Sequence, residues 1–334
     1  MSDNSSHPYD ALTPEVVIDA VESTGRLSDA RILALNSYEN RVYQVGIDQD
    51  EPVIVKFYRP KRWSDAQIDE EHRFAHHLLA QEIPVVAPLT IDTQASVPTL
   101  GSHAGFRFAL YPRQGGRAPE LDDLEHLHQL GLFIGRIHRA GLDFPFQHRI
   151  RLKVSVAADN VAYLLDAGFI PADLEAPYRA ITGEVLEAIS KRAPDSDAYP
   201  QITLHGDCHS GNVLWRDDRP HFVDFDDAIT GPAIQDLWML LSGSDDQRQR
   251  QLLEIVEGYD MFHSFEPKQL ELIEPLRAMR VLHFNSWIAR RWDDPAFPLA
   301  FPWFNTERYW SEYILELKEL LSELQASPLR MPEI

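Results

Sequence analysis

Apolar positions along this chain alternate with period two early on and later recur every three or four residues, which predicts strands first and helices afterwards. Ahead of the first strand, TPEVVIDAVESTG predicts a short helix. Thr13 is placed to cap it, Pro14 opens it, Val17, Ala20 and Val21 form one apolar side, and Gly25 stops it. The β-rich runs RILAL (31–35), RVYQVGI (41–47) and PVIVKFY (52–58) follow, with DQDE (48–51) supplying the turn residues of a hairpin. An antiparallel sheet begins there. SDAQIDEEHRFAHHLLAQ then predicts a helix capped by Ser64 with Ile68, Phe74, Ala75, Leu78 and Leu79 inward, and FRFALYP (106–112) returns to strand.

The glycine pair in RQGGR (113–117) breaks this pattern, and beyond it Leu124, Leu127, Leu130, Ile134 and Ile137 mark a long helix. Helical periodicity continues at 160–193, 234–241, 247–262 and 268–292 and through YWSEYILELKELLSEL, interrupted by one strand-turn-strand at 213–225. The expected class is therefore α+β, with an antiparallel-sheet N-lobe over 1–112, a mainly helical C-lobe over 113–334 and a hinge at 111–117. A chain of 334 residues is long for one uninterrupted core, which also favours two lobes around a cleft.

Charge narrows the partners. Lys and Arg number 31 against 52 Asp and Glu, a formal net charge of −21, which argues against a large surface for nucleic acid or anionic lipid. The opening MSDNSSHPYD is polar, no run approaches the ~18 apolar residues of a membrane helix, and Cys208 is the only cysteine. A cytoplasmic protein that binds neither nucleic acid nor membrane is expected.

The chemistry concentrates in HGDCHSGN (205–212) and VDFDD (223–227). A hairpin centred on Asp218 would oppose Asn212 and Asp224, leaving two oxygen-bearing side chains close enough to share one hard cation. Magnesium suits one Asp and one Asn, since it keeps several waters and takes its remaining ligands from substrate phosphates. Asp207 stands at the start of a loop containing Gly206 and Gly211, and its carboxylate is placed to accept a hydroxyl proton. His205, Asp207 and His209 alone supply too few ligands for a hydrolase-type zinc cluster.

The order H-x-D-x-x-x-x-N followed by an Asp on the next hairpin resembles the catalytic loop of protein kinases, and HGDCHSGN resembles its form in aminoglycoside and choline kinase-like phosphotransferases. LNSYENRVYQV, VIVKFYRP, HGDCHSGNVLWRDD and GPAIQDLWMLL extend the resemblance over most of the chain, towards bacterial Ser/Thr protein kinases of that superfamily that act in stress response. The resemblance implies a bilobal protein kinase-like fold and an ATP- and Mg2+-dependent kinase, with Asp207 as proton acceptor and Asn212 and Asp224 as metal ligands. It further implies that Lys56 meets the ATP α- and β-phosphates, that Ser37 touches nucleotide, and that Glu71 pairs with Lys56, since Ala75 and Leu78 on the same helix side would face the sheet. By the same analogy Asp236 would hold the catalytic-loop backbone, and Tyr111 to Arg113 would offer main-chain groups to adenine.

The acceptor implied is a hydroxyl, that of protein Ser or Thr, with autophosphorylation included. A small-molecule alcohol such as choline, homoserine or an aminoglycoside is the alternative, because such kinases share the HGD loop. One departure stands out. LNSYENRV lacks the glycines with which protein kinases cover the phosphates, so Asn36, Ser37 and Asn40 are expected to offer side-chain donors instead.

Overall fold

A computed structural model describes residues 7–193 and 199–331; the first six residues of the polar opening lie outside the described residues. The chain divides into two compact units. The first comprises Met1–Ile150, Ile202–Thr230 and Glu254–Ser264, and the second Arg151–Gln201, Gly231–Leu253 and Phe265–Ile334.

The first unit is built on a five-stranded antiparallel sheet. Its strands are β1 (Ser28–Leu35), β2 (Arg41–Ile47), β3 (Asp50–Phe57), β4 (Gly101–His103) and β5 (Phe106–Pro112), in the order β1-β2-β3-β5-β4. Alternation sorts β3 into two faces. Val53, Val55 and Phe57 join a core with Val17, Ala20 and Val21 of α1 (Pro14–Glu22), whose first turn Thr13 caps as its position predicts. Lys56 and Tyr58 face the other way, where Tyr58, Ile68 and Ala109 pack together beside α2 (Asp65–Ala80). Ser64 and Gln67 close a reciprocal capping box at the start of α2. Leu79 is the exception to the predicted inward set. It lies one residue, about 100° of helix, beyond buried Leu78 and is 48% exposed.

RQGGR, read as the point where the pattern changes, lies within this unit and runs beside the metal-binding hairpin candidate. Arg117 exchanges two backbone hydrogen bonds with Trp215, and a Cβ on Gly116 would come within 2.8 Å of Leu214 Cβ, so the chain passes there only as glycine. Helix α3 (Leu124–Leu142) follows, and β6 (Ile202–Leu204), β7 (Val213–Arg216), β8 (Arg219–Phe222) and most of β9 (Ile229–Gly231) return to the same unit.

The hairpin differs from expectation by one step of register. Val213 opposes Phe222 and Arg216 opposes Arg219, so the loop is the two residues Asp217 and Asp218 rather than a turn centred on Asp218. Both have positive φ, 52° and 57°, a type I′ turn whose twist matches that of the strands. Asn212 therefore opposes Val223, whose amide donates to the Asn212 carbonyl at 3.0 Å, and Asp224 lies one residue beyond. Glycine accepts the left-handed conformation without strain, so Asp218→Gly is expected to stabilise the chain by about 0.5–1 kcal/mol. A raised urea midpoint would register it; a lowered one would contradict the turn assignment.

The second unit is helical. Its helices include α4 (Ser155–Asp166), α5 (Ala172–Arg192), α7 (Ile273–Ala289), α8 (Ala296–Ala300) and α9 (Glu307–Gln325), while α6 (Asp245–Tyr259) runs from one unit into the other. Periodicity over 160–193 is thus two helices, parted by the segment AGFIP in which Pro171 precedes α5. Leu164, Tyr178, Val185, Leu282, Trp310 and Leu317 form its centre. Its arginines are engaged locally, Arg290 over the Tyr163 ring at 3.8 Å and Arg277 with Glu274 at 3.2 Å, as expected for cations flanking a bundle helix.

Candidate active site

Lys56 projects from near the C-terminal end of β3 on the α2 side, only 6% exposed. Its ammonium meets three carboxylates: Asp224 Oδ1 at 3.0 Å, Asp226 Oδ1 at 3.0 Å and Glu71 Oε1 at 3.7 Å. Burial works against charge on this lysine, but the three carboxylates outweigh it and hold the ammonium well above its ordinary range. Ala109, its small cross-strand neighbour, is also fully buried.

Glu71 and Glu70 diverge in use. Glu71 turns inward between Lys56 and Arg149, whose guanidinium lies 3.7 Å away. Burial raises its carboxyl to about 7 against the pull of Lys56, with Asp226 adding to the rise. Glu70 instead accepts the backbone N–H groups of Gln147, His148 and Arg149 at 2.5, 2.8 and 2.8 Å, anchoring that stretch of chain to α2.

The loop bearing Asp207 depends on Gly206. With φ +87° and a would-be Cβ only 2.1 Å from the Asp227 carbonyl, no other residue fits there without moving that backbone. His205 is fully buried, its Nε2 hydrogen-bonded to the Val223 carbonyl at 2.9 Å and its ring against Phe225, so it serves the loop's packing. Asn212 Nδ2 donates to the Asp207 carbonyl at 2.9 Å and lies 3.3 Å from Asp207 Oδ2. This leaves Asn212 Oδ1 as a free oxygen for a cation.

Asp224 sits at φ 60° and ψ 65°. The left-handed turn ends the β8 ladder and directs its half-exposed carboxylate to Lys56. The structure therefore brings Lys56, Glu71 and Asp224 together and joins Asp207 to Asn212. Asp207 and Asp224 both act on Asp227, whose carboxyl is pushed up first by desolvation and, against Arg62, by Asp226, Asp207 and Asp224 in turn. An Asn oxygen, an exposed Asp carboxylate and nearby acidic groups form a hard-oxygen donor set suited to a cation such as Mg2+.

Ser37 lies half-buried in the loop between β1 and β2, while Asn36 is exposed. Asn40 does not serve as a free donor. It is 2% exposed, its Nδ2 donates to Asp226 Oδ2 at 3.2 Å and its Oδ1 accepts the Arg59 N–H at 3.1 Å, because the loop folds it beneath itself. Tyr111 and Pro112 close β5 opposite Ile54 and Val53, and the Tyr111 hydroxyl reaches that of Tyr58 at 3.2 Å. Asp236 is fully buried in the second unit.

Residues that sequence reasoning left aside also hold the site. Asp226, to which the sequence assigned no role, is 2% exposed and held ionised: burial opposes its charge, but Lys56, Arg62 and Arg149 keep its carboxyl well below the usual range. Its place two residues after Asp224 was the available signal. Arg149 carries no signal of its own in the sequence. Its side chain has no exposure, donates Nε to the Ala228 carbonyl at 2.9 Å and also reaches the Asp226 carbonyl.

Beneath Lys56, His72 is buried between the Tyr58 hydroxyl at 2.7 Å and the Thr99 hydroxyl at 2.6 Å. Burial, reinforced by the charges of Lys56 and His76, lowers it to about 3. The native state thus refuses a proton that the unfolded chain takes up near pH 6.5, so this contribution is present above that pH and lost as pH falls towards 3. His72→Gln is expected to remove up to about 1.4 kcal/mol of lost stability per pH unit below 6.5. Unfolding midpoints of variant and wild type at pH 7.5 and 5 give the comparison; parallel pH dependences would refute it.

Comparisons with known proteins give the family and the fold. A profile of the family described as "APH: Phosphotransferase enzyme family" matches residues 31–273. The chain is 42% identical over 329 residues to stress response kinase A of Escherichia coli (strain K12), covering 98% of each. It is 41% identical over 332 residues to serine/threonine protein kinase RdoA of Salmonella typhimurium (strain LT2), covering 99% of each. Among solved structures, an amicoumacin kinase in complex with AMP-PNP, Ca2+ and Ami superposes with TM-score 0.69 at 17% identity, over 96% of this chain and 95% of that one. The microcompartment-associated aminopropanol kinase gives 0.66 at 15%, over 93% and 96%. These two likenesses establish the kinase-like fold. Matched over most of its length by the family profile and almost end to end by its relatives, the chain belongs to the phosphotransferase enzyme family, as HGDCHSGN and VDFDD imply.

Proposed function

We propose that this protein is an ATP- and Mg2+-dependent kinase acting in stress response, transferring the γ-phosphate to Ser or Thr hydroxyls of protein, its own included. The observation that carries the reading is the buried Lys56 ammonium facing Asp224 with Glu71 behind it, beside the Asp207–Asn212 pair. The protein acceptor is supported by the relatives' names, stress response kinase A and serine/threonine protein kinase RdoA. In this reading residues 1–112 form the nucleotide-binding lobe and 113–334 the lobe with the catalytic loop, hinged at 111–117. The setting is cytoplasmic, where ATP is available; no helix among the described residues is long and apolar enough to cross a membrane.

Asn212 Oδ1 and the exposed Asp224 carboxylate would hold Mg2+, which when bound supplies positive charge to the β- and γ-phosphate oxygens. Lys56 leaves Asp224 to neutralise the α- and β-phosphates, kept in place by Glu71. Ser37 donates to nucleotide from the loop after β1. Asp207 accepts the proton of the attacking hydroxyl and orients it in line with the transferred phosphoryl group.

The test is transfer of label from γ-labelled ATP by the full chain, with Asp207→Asn in parallel. Label on protein Ser or Thr in the wild type alone is the expected result. Label appearing only in a small-molecule alcohol would replace the protein acceptor with the alternative, and no transfer to any hydroxyl would defeat the kinase reading.

A further inference from the structure

Arg62 lies in the connection between β3 and α2, and the mechanism above gives it no task. Its side chain is 16% exposed and meets carboxylates from two separate segments. Nη1 binds Asp226 Oδ2 and Nη2 lies 2.5 Å from Asp227 Oδ1, both just beyond the metal ligand Asp224. Nε faces Glu39 Oε1 at 3.6 Å, in the glycine-free loop that also carries Ser37. Asn40, the next residue of that loop, adds a second donor to the same Asp226 oxygen at 3.2 Å.

Arg59 has a different reach. It binds the Glu39 carbonyl at 2.9 Å, the Tyr38 carbonyl at 3.1 Å and the Glu39 carboxylate at 3.2 Å, all within the loop itself. Arg62 spans from the loop to the 224–227 segment. A planar fork can do this because its N–H groups diverge in one plane, whereas a lysine ammonium is a single point of charge.

Two consequences follow for a nucleotide. The Lys56 ammonium is already shared among Asp224, Asp226 and Glu71. If Arg62 did not take up the charge of Asp226 and Asp227, Asp226 would compete harder for Lys56 against phosphate. The loop would also lose its ionic tether, and in the absence of glycine it has no close backbone approach with which to compensate.

We propose that Arg62 is a positioning residue for nucleotide, tying the Ser37 loop to the 224–227 segment and occupying Asp226 and Asp227 so that Lys56 remains available to phosphate. This rests on the reading of the site as a nucleotide site.

Calorimetric titration with Mg·AMP-PNP and steady-state kinetics on the full chain test it in wild type, Arg62→Gln and Arg62→Lys. Arg62→Gln is expected to weaken Mg·AMP-PNP binding and raise the KM for ATP about tenfold or more, with kcat changed less than about threefold. Arg62→Lys restores part of the affinity, because charge returns without the fork. Glu39→Gln, which loosens the loop end of the strap together with the Arg59 contact inside the loop, is expected to give a smaller KM rise of about threefold and serves if Arg62→Gln does not fold. Binding by Arg62→Gln or, should that variant not fold, by Glu39→Gln within the error of wild type overturns the proposal, as does a fall in kcat at unchanged KM. A wild type that binds no Mg·AMP-PNP overturns the nucleotide-site reading itself, a result distinguishable from the others because it precedes any substitution.

Discussion

Asp207→Asn is expected to lower kcat by roughly 10²–10⁴ while Mg·AMP-PNP binds nearly as in the wild type, the signature of losing a general base. The separation is expected because of how the loop is held. Asn212 Nδ2 donates its shorter hydrogen bond, 2.9 Å, to the Asp207 backbone carbonyl and only the longer one, 3.3 Å, to the carboxylate. The substitution removes the proposed proton acceptor yet leaves that backbone anchor, the Gly206 turn and the Asn212 oxygen where they are. Single-turnover transfer of labelled phosphate, set beside the binding isotherm, measures both quantities. Near-normal turnover would take Asp207 out of the mechanism, and an equal loss in binding and rate would make it a structural residue of the loop.

The largest effect on stability is expected from Arg149→Met, a loss of about 3–5 kcal/mol. The methionine fills similar space but ends the ion pair with Glu71 at 3.7 Å, the bond to the Ala228 carbonyl at 2.9 Å and the stacking over Trp63 at 4.3 Å. Glu71 then faces Lys56 without its second cation, and the carbonyls of the 225–228 segment lose their donors while still buried. Arg149→Lys should recover only part of the loss, since the ammonium cannot serve several carbonyls in one plane. Urea unfolding monitored by tryptophan fluorescence would show both effects. A loss for Arg149→Met below about 1 kcal/mol would mean that the buried pair is no better than an apolar replacement.

Together Glu70, Glu71, Arg149 and Asp226 form a chain of ionic and backbone contacts from α2 to the segment after β8. Within the first unit, the lysine strand, the helix glutamate and the 224–228 segment are consequently held to one another by side chains rather than by their own hydrogen-bond ladders. Substitutions along this chain are near neighbours and should not add.

Much of this was legible along the sequence, and the reasons are local. Alternation in VIVKFY puts Lys56 on the face of Tyr58, because successive side chains in any strand point to opposite faces, and the structure shows that face to lie opposite the α1 core. Ser64 announced the start of α2 through a capping bond that closes within three residues, and Gln67 completes the box in the structure. HGDCHSGN places Asp207 and Asn212 five residues apart in one loop, but the hydrogen bonds between them came only with the structure, since the sequence opposed Asn212 to Asp224 and set Asp207 apart. The hairpin register was misread by one residue for an equally local reason. WRDDRP permits turns of two or three residues, and the choice depends on two aspartates accepting positive φ, which composition does not announce.

By itself, then, the sequence determined the sheet-then-helix order, the faces of β3, the caps and the membership of the phosphotransferase family, all properties written in short-range pattern or in motif. Tertiary structure alone decided which charges meet. Nothing near position 62 or 149 says that either arginine will pair with Asp226 and its neighbours, more than 75 residues away along the chain for Arg149 and 160 for Arg62. Nor does Asn40 reveal that its amide is spent at 186 residues' separation. The physical reason is that a buried charge is tolerated only where the whole fold supplies its partner, so which candidate aspartate binds cations of the protein, and which is left for metal or proton, is fixed by packing and not by spacing.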